Sequence, residues 1–103
     1  MPDIAIVHRR KRGATSIPGL DEVYLVIEVS DSTLHTDRTV KMPLYARHGI
    51  AEAWIINLRE SVVEVYREPQ DGTYRNVQVF GRGERITLLA FPDVAVPVNE
   101  VLP

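Results

Sequence analysis

The sequence predicts a single mixed α/β domain: a sheet of mixed strand direction carrying one main helix. Three observations predict it. The run from Val23 to Val29 is β-branched and aromatic, as in a buried central strand. The segment from about Asp37 to His48 has helical character and is followed by Gly49, a plausible C-cap. Val62–Arg67 and Tyr74–Phe80 alternate apolar and polar residues around Pro69-Gln70-Asp71-Gly72, the pattern of a hairpin. The resulting order, β-β-α-β-β-β, belongs to α/β or α+β layer structures. With 103 residues and 45% hydrophobic content, residues 1–103 suffice for one domain with its own core.

Ile4-Ala5-Ile6-Val7 opens the chain as a short strand, and His8 to Gly19 reads as an exposed loop with a basic start. Asp31-Ser32-Thr33 ends the central strand with turn formers. Pro43 has no N–H to donate, so the helix either bends there or starts near Met42 with Pro43 in its first turn. At about 100° per residue, Arg38, Lys41, Tyr45 and His48 fall on one side of it. Val40 and Leu44 border that side, which puts Lys41 in or beside the stripe facing the sheet. Trp54–Leu58 is a further buried strand, with Trp54 in the core. Ile86–Leu89 and Val94–Val98 are short edge strands whose ladders Pro92 and Pro97 limit. With one helix, one face of the sheet is expected to lack a helical cover.

The formal net charge is −2, with acids and bases mixed along the chain, so bulk charge gives no push toward nucleic acid. The absence of cysteine excludes disulfides and thiolate metal sites and makes a reducing cytoplasm the default location. No apolar stretch approaches the length of a membrane span.

The chemistry centres on Glu28. A carboxylate inside such a strand is costly to ionise unless something neutralises it. One candidate is Lys41, giving a buried structural ion pair. The other is a metal shared with Asp3, which is in phase with Ala5 and Val7 as Glu28 is with Val26 and Ser30. Two carboxylates on neighbouring strands can hold a hard cation such as Mg²⁺ and leave water positions open. Asp3, Glu28 and Lys41 would then form a hydrolytic site, with Lys41 orienting the nucleophile or stabilising charge on a phosphate. Spacing alone leaves both readings open. Arg9, Arg10, Lys11 and Arg12 form a basic run suited to phosphate contacts or to a solvated loop. His35 and His48 have no metal-ligand spacing.

Several segments, taken in order, resemble one family. They are Pro2-Asp3 with Ile4–Val7, Glu28-Val29-Ser30-Asp31-Ser32-Thr33, Asp37-Arg38-Thr39-Val40-Lys41, and Leu44-Tyr45-Ala46-Arg47-His48-Gly49. The chain is similar over nearly its whole length to the Uma-two family of proposed restriction endonucleases, a divergent branch of the PD-(D/E)XK nuclease superfamily. The resemblance implies a restriction-endonuclease-like mixed β-sheet and Mg²⁺- or Mn²⁺-dependent hydrolysis of DNA phosphodiesters. By it, Asp3 and Glu28 match the acidic metal ligands and the backbone carbonyl of Val29 is a further metal contact. Ser30 stands where the superfamily lysine is usual, and Lys41 replaces that lysine from the helix. Asp37 and Tyr45 match supporting positions. Asn57 stands where the family often has Asp. Members usually carry an N-terminal helical region before the Pro-Asp motif, so the chain resembles a truncated member. That loss is expected to bare apolar sheet surface and favour a homodimer. The alternative function is a non-catalytic remnant acting as a protein-interaction or self-associating domain.

Overall fold

The computed structural model describes residues 4–7 and 23–103. Strands β1 (Ile4–Val7), β2 (Val23–Ser30), β3 (Glu52–Asn57), β4 (Val62–Gln70) and β5 (Thr73–Phe80) form one sheet in that spatial order. β2 and β3 are parallel and every other neighbouring pair is antiparallel, so the sheet is mixed as expected. A parallel pair needs a crossover connection, and here the helix supplies it. Two further strands, β6 (Arg85–Thr87) and β7 (Ala95–Pro97), pair only with each other. A last helical turn, α2, spans Val98–Val101.

The main helix, α1, is composite. Leu34–Thr36 is α-helical, Asp37–Lys41 π-helical and Met42–Arg47 α-helical, with no break between them. The Met42 N–H donates to the Asp37 carbonyl, five residues back, which widens the turn ahead of Pro43. The sequence suggested a bend at the proline or a start near Met42. Instead the helix begins earlier and absorbs Pro43 by a π-turn, a device that relieves an interrupted i→i−4 ladder. Its C-terminus is as read: Gly49 has φ +73°, and the Gly49 and Ile50 N–H groups donate to the Ala46 and Tyr45 carbonyls. That pair of bonds is a Schellman cap, and its left-handed residue is cheapest as glycine.

β4 and β5 continue closer to the turn than the sequence suggested, leaving only Asp71 and Gly72 between them, at φ +55° and +77°. Two consecutive left-handed residues make a type I′ turn, whose twist matches that of the flanking strands.

Two apolar clusters hold the sheet between layers. On the helix side, Val26, Ala53 and Ile55 pack against Met42, Tyr45, Ala46, Ile50 and Tyr74. On the other side, Leu25, Ile27, Trp54, Ile56, Val63 and Val65 pack against Ile86, Leu88, Val98 and Leu102. The sheet face that lacks α1 is therefore not bare among the described residues: the β6–β7 ribbon and α2 cover it. Some apolar exposure remains on that face at Val29 and in its cover at Leu89, Phe91 and Val94, and elsewhere at Val77 and Val79 on edge strand β5 and at Val40 and Leu44 on α1. No helix among the described residues is long and apolar enough to cross a membrane.

Candidate functional site

Beyond the last apolar pair of the helix side, the interface between α1 and the sheet turns polar. Glu28 shares its sheet face with Val26 and Ser30, and in the parallel register it lies beside Ile55. Its carboxylate is 1% exposed. One oxygen, Oε1, accepts a hydrogen bond from Lys41 Nζ at 3.2 Å, and the other, Oε2, accepts from the Tyr45 hydroxyl. Lys41, as the helical wheel required, reaches down to the sheet and finds a carboxylate.

Lys41 has a second acidic neighbour. Asp37, one turn earlier and also 1% exposed, places Oδ1 3.3 Å from the ammonium. Ser30 from β2 and Thr33 ahead of the helix both donate to Oδ2, Thr33 at 3.1 Å. Oδ1 takes no hydrogen bond among the described residues, so its contact with Lys41 is an ion pair without hydrogen-bond geometry. The Lys41 pKa is raised above the ordinary lysine value. Burial works against the charge, but the contacts with Glu28 and Asp37 outweigh it. Two carboxylates thus face one ammonium, itself 31% exposed at the rim of the cluster.

A second network sits across Ile55, in the same row as Glu28. Glu64 on β4 pairs in register with Ile55 and is buried. It accepts from Arg38 through both Nε (3.1 Å) and Nη2, from the Tyr66 hydroxyl at 2.6 Å, and from Asn57 Nδ2 at 3.3 Å. Burial pushes the Glu64 carboxyl up, but these donors prevail and hold it below its usual value. The Arg38 guanidinium is correspondingly raised, chiefly by its bond to Glu64. Asn57 has a defined task here: its amide donates to Glu64 while its Oδ1 accepts from the Glu60 N–H at 3.1 Å. An aspartate at this position could not make the first of those bonds.

Glu28, Lys41, Asp37 and Tyr45, singled out in the sequence, therefore converge. Val29 pairs with Ile56 in the β2–β3 ladder. Asp3 lies outside the described residues, as do Arg9, Arg10, Lys11 and Arg12; β1 begins at Ile4, opposite Ile27. His48, on the same helical side as Lys41 and Tyr45, is exposed where the helix ends. Among the described residues no group of three His, Cys, Asp or Glu is arranged to hold a metal ion. The sequence reading missed Ser30 and Thr33 as anchors of Asp37, and the whole Glu64–Arg38 network. Glu64 carried the same signal as Glu28, an acid flanked by β-branched residues in a strand, with Arg38 three residues before Lys41 on the helix.

No curated protein matches the chain. One family model does, over residues 1–99, that of Uma2, described as "Putative restriction endonuclease". Since that match takes in both polar networks and nearly the whole sequence, the chain belongs to the Uma2 family.

Proposed function

We propose that the protein is a metal-dependent endonuclease that hydrolyses DNA phosphodiester bonds, with Glu28, Lys41 and Asp3 as its working groups. The observation that carries the reading is the Lys41 ammonium at the solvent rim, 3.2 Å from a buried strand carboxylate. Membership of a family described as restriction endonucleases supports it independently.

The donor set suits a hard cation. Glu28, Asp3 and the Val29 carbonyl offer only oxygens, which Mg²⁺ or Mn²⁺ prefers. Two buried carboxyl groups against one ammonium, with one Asp37 oxygen lacking a hydrogen bond, also leave negative charge for a cation to offset. When bound, such an ion polarises the phosphate and acidifies a water molecule. Tyr45 orients Glu28 by holding Oε2. Lys41 stabilises the extra negative charge that builds on the phosphate oxygens as water adds. Hydrolysis then breaks one P–O bond, giving a phosphomonoester and a free hydroxyl. Arg9, Arg10, Lys11 and Arg12 are the cations available for neighbouring backbone phosphates.

Supercoiled plasmid and labelled single- and double-stranded oligonucleotides, incubated with Mg²⁺, Mn²⁺ or a chelator, test this. The expected result is metal-dependent cleavage, lost in Glu28→Gln and Lys41→Met with folded-state circular dichroism intact. Cleavage that survives Glu28→Gln, or no cleavage by the parent protein with either metal, overturns it. A second reading, a non-catalytic self-associating domain, draws on exposed Val77 and Val79 along edge strand β5. It requires sedimentation that depends on concentration and is abolished by Val79→Lys.

A further inference from the structure

Lys41 ends a flexible four-carbon stem, and ordering such a side chain costs conformational entropy. A single contact with Glu28 leaves the ammonium free to swing about one oxygen. The second contact comes from Asp37, four residues earlier on the same helix. On a surface helix an acid–lysine pair at this spacing is loose and contributes little. Asp37 differs because it is itself immobilised: it is buried, and hydroxyls from two separate places, Ser30 on β2 and Thr33 before α1, bind the same oxygen. That turns Oδ1, the oxygen without a hydrogen bond, toward the ammonium.

We propose that Asp37 is the positioning residue for Lys41, and that Ser30 acts through Asp37 to fix the ammonium between Asp37 Oδ1 and Glu28 Oε1. The helix-borne cation is thereby tied back to β2 twice, directly at Glu28 and indirectly at Ser30. A buried acid that served packing alone would be at a disadvantage against an apolar residue of similar size. The kinetic part of this inference rests on the nuclease reading above; the geometric part does not.

Lys11 and Lys41 are the lysines of the chain, so the Lys41 side-chain methylene next to nitrogen can be followed by carbon-13 relaxation with little overlap. In Asp37→Asn its order parameter is expected to drop toward that of a free lysine, and in Ser30→Ala to drop part of the way. For DNA cleavage, a small displacement of a working group can cost up to about 100-fold. We expect that loss in kcat with KM unchanged, larger for Asp37→Asn than for Ser30→Ala. Should Asp37→Asn fail to fold, Ser30→Ala decides by the same readouts. An ammonium stem as ordered in the variants as in the parent, whatever happens to their melting temperatures, overturns the proposal. If the parent cleaves no DNA, the nuclease reading falls while the relaxation data still decide whether Asp37 positions Lys41.

Discussion

Replacing Lys41 by methionine removes the charge at nearly constant shape and asks what the ammonium contributes. Exposed ion pairs are worth about 0–1 kcal/mol. Breaking a fully buried pair costs about 3–5 kcal/mol, because the surviving charge is stranded. Here the survivors are Glu28 and Asp37, each 1% exposed, whereas Lys41 is 31% exposed. Glu28 keeps the Tyr45 hydroxyl, and Asp37 keeps Ser30 and Thr33. The penalty should therefore fall between the two limits, at about 2–4 kcal/mol. For a domain of this size that corresponds to roughly 10–20 °C in Tm. Urea unfolding followed by circular dichroism measures it. Adding Glu28→Gln to Lys41→Met removes one stranded charge while leaving an acceptor for Tyr45. The double variant should then be less destabilised than the sum of the two single ones by about 1 kcal/mol or more. A Lys41→Met variant within about 0.5 kcal/mol of the parent, or strict additivity in the cycle, would refute the reasoning.

Two further outcomes concern the rest of the fold. On the opposite sheet face, Glu52 is buried and accepts from Trp54 Nε1 (2.9 Å), Arg67 and the Leu89 N–H (3.0 Å), while Arg67 Nη2 also donates to the Thr87 carbonyl. Arg67→Met should destabilise by about 3–5 kcal/mol, and hydrogen exchange should show the segment around Thr87–Leu89 losing protection first. In acid, Glu64 sets a slope. Its folded pKa lies below the ordinary value of about 4.3, so its contribution is present above that pH and is lost as pH falls through the folded value. Urea midpoints measured from about pH 2 to pH 7 should therefore fall less steeply below about pH 4 for Glu64→Gln than for the parent; superimposable curves would remove Glu64 from the account.

Much of this architecture was legible in the residues. Val23–Val29 and Trp54–Leu58 marked the central strands because continuous β-branched and aromatic runs suit strands covered on both faces. Asp71-Gly72 marked the hairpin because both positions need positive φ. The helix start was less legible, because Pro43 argues for a boundary by its local chemistry and only the surrounding packing permits a π-turn instead. Lys41 pointed to a carboxylate on helical periodicity alone, and Glu28 answered. Ser30 was read as a position where a lysine is missing, whereas its hydroxyl reaches Asp37; hydroxyl bonds across a strand and a helix leave no periodic trace. The two short strands near Ile86 and Val96 were read, but as edge strands; that they pair only with each other and cover the far face with Leu88, Val98 and Leu102 leaves no local signal in the sequence.

Glu28, Ser30, Thr33, Asp37, Lys41 and Tyr45 all belong to one uninterrupted stretch of chain, the strand and crossover that precede β3. Every tie among them closes a short loop, so the cluster can assemble early, ahead of pairings between distant segments. The hairpin strand β4 is tied to the same helix through Arg38 and Glu64, while the far ribbon lies on the opposite sheet face. The charged cassette is consequently carried by one segment of chain, and the Arg38–Glu64 tie fixes that segment to the hairpin.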